Sequence, residues 1–590
     1  MMNLSQIATR HLVSMALVTL WLLVGCRTDS VTQQNNENER AKSDSASSEE
    51  VVLDEVKQKY IWDTEHVTFE IETYVGKKLK QAIRDRDPTA IVALCRDGFE
   101  ADCVNVSLPE QLEQSGISKT VWKKAGETTL AGTAFADYLL ERVAPFQSID
   151  GVGMRVLKID AENKDVSLGR WQIQMLITVK GRSAAGQTLF FKQESQAKLE
   201  FKSDEEVRTD SVFTKIDIHF EKLIESPELM VEATADYGLD RLKVHDNWTA
   251  DTSTQYTHFM ACADFDRDGA TDLIISTLAG QVMLLKSESG RLVDVTEAYN
   301  LPNRIDAEQM HSTVSWIDFD NDDFPDLLLG ENLFHNEQGK SFRWQPGTGI
   351  RLKYNPLGIA VADYDCDGLL DFYVCYQRGN QLIDPSAVSW MDDDKTGSEN
   401  QLWRNLGNGK FENVTQRAGV GGGLRRSFAA VWFHANDDRF PDLYVANDFS
   451  KNSLFVNAGD GTFVDKSAES GTADFATSMG VAAGDVDGDG HTDIYVANMF
   501  SKMGRRIIDH VETTDYPAGI FEQLQGSCAG NRLYTRKGSD IQFSEISQQL
   551  DINGVGWAYS PALADFDRDG FLDIYATAGF MSFDRHKPDG

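Results

Sequence analysis

Long apolar runs are scarce in this chain of 590 residues, and so is positive charge. The one extended apolar stretch, Leu12 to Val24 (LVSMALVTLWLLV), is too short to cross a bilayer as a helix, which takes roughly 20 apolar residues. Lys and Arg number 57 against 92 Asp and Glu, a net charge of −35. That field repels phosphate backbones and anionic headgroups, which argues against nucleic acid as a partner and in favour of cations. The 7 cysteines include no C-x-x-C pair of the zinc or redox kind. P-loop, nucleophile-elbow, H-E-x-x-H and Rossmann fingerprints are also missing in the contexts they require. With 41% hydrophobic residues there is still ample material for a core, and the length suggests about three to five ordinary domains or one repeat domain with a companion.

The apolar run has the length of a signal-peptide core. It ends in Leu23-Val24-Gly25-Cys26, which resembles a bacterial lipoprotein processing box. Residues 1–25 are then a signal peptide and Cys26 the lipidated residue, anchoring the protein in the cell envelope, at the outer membrane, the cell surface or the periplasm-facing side. An ordinary secretory signal with a fortuitous cysteine is the alternative. Residues 26–50 hold almost nothing that could enter a core and read as a disordered tether. Among the six remaining cysteines, Cys95 with Cys103 and Cys366 with Cys375 are near enough in sequence to pair, and free thiols fit equally well.

A nine-residue pattern, D-x-D-x-D-G-x-x-D, organises the second half. It places Asp264, Asp266, Asp268 and Asp272 in a first loop, Asp363, Asp365, Asp367 and Asp371 in a third, Asp485, Asp487, Asp489 and Asp493 in a fifth, and Asp565, Asp567, Asp569 and Asp573 in a sixth. The second loop keeps Asp318, Asp320, Asp322 and Asp326 but has Asp323 where Gly belongs; the fourth offers His434, Asn436, Asp438 and Asp442, with Arg439 at the Gly position. Each loop lies between short β-rich runs. Hairpin signatures such as Q-L-W-R-N-L-G-N-G-K-F from Gln401 and S-L-F-V-N-A-G-D-G-T-F from Ser453 follow. Four short antiparallel strands per repeat is the pattern of a β-propeller blade.

These loops resemble the FG-GAP or VCBS repeat family, whose blades are similar to the calcium-bearing blades of the integrin α-subunit propeller. V-T-Q-R-A-G-V from Val414 to Val420 resembles the bacterial relatives of cartilage acidic protein. The resemblance spans about residues 226–590 and implies a mainly β fold: a calcium-binding propeller of six countable blades, with seven also compatible. Leu229 to Leu239 resembles the same strand end and is expected to complete the last blade.

Aspartates at positions 1, 3, 5 and 9 of a tight loop converge on one point, where a hard cation takes carboxylate oxygens; Ca²⁺, with six to eight oxygen ligands, suits them better than Mg²⁺. Position 9 is expected to give both oxygens and position 7 a carbonyl. The fourth loop, lacking carboxylates at positions 1 and 3, is expected to bind Ca²⁺ weakly or not at all.

From 51 to 225 the repeat is absent. Helical apolar spacing from Phe69 to Leu94, broken at Asp87-Pro88, precedes alternating runs such as WQIQMLITV from Trp171, an α+β order. LKQAIRDRDPTAIVALC is similar to the opening helices of NTF2-like domains. Two long insertions, about Tyr376–Glu399 and Phe500–Asn531, fall in the same kind of connection and hence on one face of the propeller, where a protein or polysaccharide ligand is expected. The first carries Trp390 and Asp392 to Asp394, the second Lys502, Arg505, Arg506, His510, Tyr516 and Phe521. A binding, adhesion or recognition module is the leading reading. A polysaccharide-acting enzyme, with His258, His311 and Trp557 lining the channel, and an assembly factor for another exported protein are the alternatives.

Overall fold

The computed structural model describes residues 54–579 apart from 105–108, 115, 124–127, 164–168, 210, 244–257, 278–279, 306–312, 354–355, 378–396 and 517–518. Cys26, the signal peptide, the tether, His311, Trp390 and Asp392 to Asp394 lie outside the described residues. The chain forms two compact units: one runs to Met230 and takes in Lys502–Phe521, and the other comprises Val231–Ser501 and Glu522–Gly590.

In the first unit, helices Glu55–Glu70 and Gly76–Asp85 are joined by a π-helical turn, Ile71–Val75. Arg86 ends the run in the left-handed region. Asp87 then caps the next helix, Pro88–Val92, accepting from the N–H groups of Thr89 and Ala90, so the break falls at the Asp-Pro step, as the sequence indicates. Four long antiparallel strands follow: Phe146–Ala161, Gly169–Ser183, Thr188–Phe201 and Phe213–Ser226. Along the second of these, Trp171, Ile173, Met175, Ile177 and Val179 alternate inward onto a core shared with Ile71, Leu79, Ile83 and Leu139. Register shifts near Phe146, Ile149 and Val156 bend the sheet. At Gly181 a Cβ would come within 2.0 Å of the Ser148 carbonyl oxygen, so only glycine fits this close approach. The unit is α+β.

The second unit is a succession of antiparallel meanders. The first blade comprises His258–Ala263, Asp272–Thr277, Val282–Glu288 and Arg291–Asp294; four more four-stranded meanders follow, and among the described residues a sixth sheet holds Ala558–Ala564 and Asp573–Ala578. The third blade, for example, pairs Pro356–Ala362, Asp371–Tyr376, Gln401–Asn405 and Phe411–Asn413 in order. Blades four and five are also joined through Asp448↔Thr477 and Lys451↔Phe475. Strands two and three are buried on both faces, as in Phe372, Tyr373, Val374, Cys375 and Tyr376, because the blades stack on one another. In the first three blades an aromatic at loop position 2 fills the junction with the next blade; loops four and five hold Ala435 and Val486 there. Phe265 stacks on Trp316 of the second blade, with centroids 6.2 Å apart and planes 5° from parallel, and Tyr364 lies on Trp432 and Phe463 of the fourth. In the two-stranded sixth sheet the counterpart, Phe566, is exposed.

Leu229 to Leu239 does not complete the last blade. Tyr237 accepts a hydrogen bond from Leu292 N–H (3.0 Å), and Leu239 with Leu242 packs on Met283, Leu285 and Leu292 of the first blade. The first blade's outer face is apolar enough to claim the segment. Among the described residues the six cysteines form no disulfide.

Much of the second insertion belongs to the first unit. Arg506, 6% exposed, donates from Nε and Nη2 to the two Glu65 oxygens at 2.9 and 2.7 Å and from Nη1 to Val156 O at 2.9 Å. Lys57 bonds Asp515 at 2.6 Å, and His510 meets Tyr60 edge-on. Arg506 and the His510 ring are thereby occupied in the body of the first unit, and Tyr516 is buried. Arg506→Ala should strand the Glu65 carboxylate and cost about 3 kcal/mol. Urea denaturation, with amide exchange along Glu55–Glu70 as the local readout, checks this.

Candidate metal centres

The nine-residue loops fold in one way, dictated by their backbone N–H groups. The position-1 aspartate accepts from the N–H groups of positions 5 and 6: Asp264 from Asp268 and Gly269, Asp318 from Asp322 and Asp323, Asp363 from Asp367 and Gly368, Asp485 from Asp489 and Gly490, Asp565 from Asp569 and Gly570. To turn those N–H groups inward, position 4 takes φ of 56 to 73° (Arg267, Asn321, Cys366, Gly488, Arg568) and position 6 takes 70 to 94°. Glycine is the natural residue at position 6. Asp323 holds it in loop two at φ 70°, aspartate being among the few side chains that tolerate the left-handed region.

The position-9 aspartate is a clamp. Its Oδ2 accepts from the N–H of position 2 (Phe265, Phe319, Tyr364, Ala435, Val486, Phe566). In the first five blades its Oδ1 accepts from strand three (Ser287, Asn336, Asn405, Asn457, Arg536). Asp272, Asp326, Asp371, Asp442 and Asp493 are wholly buried; Asp573, with no third strand described beside it, is not. Three of the strand-three partners add a bond between blades. The Asn336 amide donates to Phe265 O of the preceding blade at 2.8 Å and to Pro325 O of its own at 2.9 Å; Asn405 does the same to Phe319 and Leu370, and Asn457 to Tyr364 and Pro441.

Loop four departs from this pattern. Neither Asp437 nor Arg439 takes positive φ, and Asp438 N–H bonds Asn436 Oδ1 rather than position 1. The Asp442 clamp is kept, as is the bond from the position-7 N–H of Phe440 to Asp438 Oδ1.

In loops one, two and three the carboxylates converge. One oxygen each from Asp264, Asp266 and Asp272 lies within 4.8 Å of the others, and the same holds for Asp318, Asp320 and Asp326 and for Asp363, Asp365 and Asp371. Burial, with neighbouring loop carboxylates adding to it, outweighs the backbone N–H bonds and pushes the Asp326 and Asp371 carboxyls up to about 8 and those of Asp442 and Asp493 to about 6. Asp266 Oδ1 and Asp365 Oδ1 are buried with no hydrogen-bond partner among the described residues. An orphaned carboxylate oxygen inside a ring of acids suits a hard cation, so the donor set fits calcium.

Sequence reasoning missed the basic side chains that face these loops from strand three. Lys286 reaches Asp266 and, at 2.7 Å, Asp268; Arg404 reaches Asp365 at 2.6 Å and Asp367 at 2.8 Å; the His335 ring lies 3.4 Å from Asp320 and 3.2 Å from Asp326. Their register, one residue before the clamp's strand-three partner, was the available signal. In the first unit Glu221 is wholly buried, its carboxyl pushed up by burial while accepting from Tyr138 and Gln193 at 2.9 and 2.7 Å. The cavity of that unit is lined by Leu79, Ile91, Phe135, Met175 and Phe213, which offer no chemistry.

If the clamp is structural in its own right, it should matter even in loop four. Asp442→Asn sets an amide N–H against a buried N–H and should cost about 2 kcal/mol, whereas half-buried Asn436→Ala should cost under about 0.5 kcal/mol. Chemical denaturation of both variants checks this.

The FG-GAP-like repeat family profile matches residues 264–329 and 435–496. Cartilage acidic protein 1 of Xenopus tropicalis is 26% identical over 395 residues, 55% of this chain and 58% of that protein; the Homo sapiens protein is 24% identical over 387 residues, 55% and 57%. The chain thus spans little more than half the length of these relatives. A solved structure of BBS1N in complex with ARL6DN, soaked with lead, aligns with 66% of this chain and 88% of that one at 10% identity, with a TM-score of 0.26, too low to bear on the fold. The chain carries FG-GAP-like repeats, and those repeats are the blades of its β-propeller.

Proposed function

We propose that this protein is a calcium-binding recognition or adhesion module of the cell envelope, held there by a lipid on Cys26. The observation that carries the calcium reading is the pair of orphaned, buried oxygens on Asp266 and Asp365, each within a convergent set of carboxylates. Loops one, two, three, five and six would hold the ions through their aspartates at positions 1, 3, 5 and 9. Bound calcium supplies the positive charge that lets these carboxylates stay ionised when buried, and so stiffens the loops. Similarity to cartilage acidic protein 1 over the repeats supports a binding role, with a protein or polysaccharide ligand at the insertion-bearing face of the propeller. Retention on a panel of polysaccharides tests that role, and release of product in the same incubation would favour the enzymatic alternative.

Metal analysis after chelation and calcium return should find at least two ions per chain, and Tm should rise with calcium by mass action. Asp487→Ala should lower both the calcium count and Tm, while Asn436→Ala leaves the count unchanged; equal losses would assign metal binding to loop four as well.

The anchor is tested separately. Cys26→Ser should release the protein from membrane fractions, and retention of that variant after a salt wash would refute lipidation.

A further inference from the structure

In blades one, three and four the charge in strand three follows the charge in the loop. Loops one and three carry the full set of aspartates, and strand three faces them with Lys286 and Arg404, one residue before the clamp's partner. In blade four the carboxylates at positions 1 and 3 are replaced by His434 and Asn436, and the same register holds Val456, which has no charge. Blade five keeps all four aspartates but has Thr535 at that register; the lysine near its loop, Lys537, lies 3.3 Å from Asp487 with a side chain 73% exposed. Lys286, by contrast, is 12% exposed and sits between Asp266 and Asp268.

A buried ammonium or guanidinium between two carboxylates does part of a metal ion's work. It cancels the repulsion that would otherwise open the loop. The same charge opposes a divalent ion: whether the side chain swings away or stays beside calcium, binding must overcome its pairing or its repulsion. At loop five the charge beside the acids is the solvated Lys537, while the buried Arg536 turns its guanidinium to Asp437 and the His491 ring.

We propose that Lys286 and Arg404 are built-in counter-ions that keep loops one and three folded without calcium and make them weaker calcium sites than loop five. This rests on the calcium reading above. It implies graded filling, in which loop five loads first and loops one and three respond only at higher calcium.

The test is calorimetric titration of calcium-free protein, with Tm measured in chelator and in saturating calcium. Lys286→Met should tighten one site about tenfold, lower Tm in chelator, and regain the wild-type Tm in calcium; Lys286→Arg should behave as wild type. Arg404→Met should repeat the pattern for loop three, and Thr535→Arg should weaken the tightest site, so that a variant that fails to fold does not remove the test. A Tm loss equal in chelator and calcium, with wild-type affinities, would reduce these residues to packing and overturn the inference while leaving the calcium reading intact. A wild-type protein that binds no calcium would instead remove the calcium reading, and the inference with it.

Discussion

The propeller depends on a buried carboxylate at the ninth position of the first five loops. Taking that group out of water is costly unless its oxygens are satisfied, and two backbone N–H groups satisfy them: one from the loop and one from the third strand. The aspartate therefore fastens a loop joining strands one and two to a strand that arrives later, 34 residues on in blade three. Loop four has lost the acids at positions 1 and 3 and the left-handed residues at 4 and 6, yet it retains Asp442 with both bonds. The blade can dispense with the metal-type carboxylates but not with the clamp.

Neighbouring blades use the same atoms. The asparagine that offers its N–H to the clamp sends its amide back to the preceding loop, while the aromatic of that loop packs against the next blade. Local turn geometry and inter-blade packing are thus coupled through one residue. A blade with a disordered loop would lose its hold on its neighbour as well as its own hairpin. The exposed Phe566 and Tyr575 of the sixth sheet show the converse, a position-2 aromatic and a strand without a described successor to cover them.

The repeat was legible in the sequence because it is local: nine residues contain the turn, the acids and the glycine, and their recurrence sets the blade spacing. The α+β character of the first unit was equally legible from helical spacing followed by strict alternation. What escaped depends on distant partners. Lys286 and Arg404 meet acids 18 to 39 residues away, and only their register beside the clamp's strand-three partner marks them as facing a loop. Asn405 and Asn457 read as hairpin residues, which they are, but the inter-blade bond appears only once the blades stack. Leu229 to Leu239 was assigned to the wrong end of the array because its apolar spacing matches a strand end, whereas the leucines of the first blade decide where it packs. Arg506 meets Glu65 across 441 residues, a pairing that no reading of spacing could supply.

Because Lys502–Phe521 leaves the propeller sequence, joins the first unit and returns, the chain passes between the two units three times. A single break near Met230 would divide the polypeptide without dividing the protein, since the excursion would remain seated through Arg506 and Asp515. Partners bound to either unit would stay joined after such a nick. Shedding the propeller from whatever holds the N-terminus would take cuts at all three crossings.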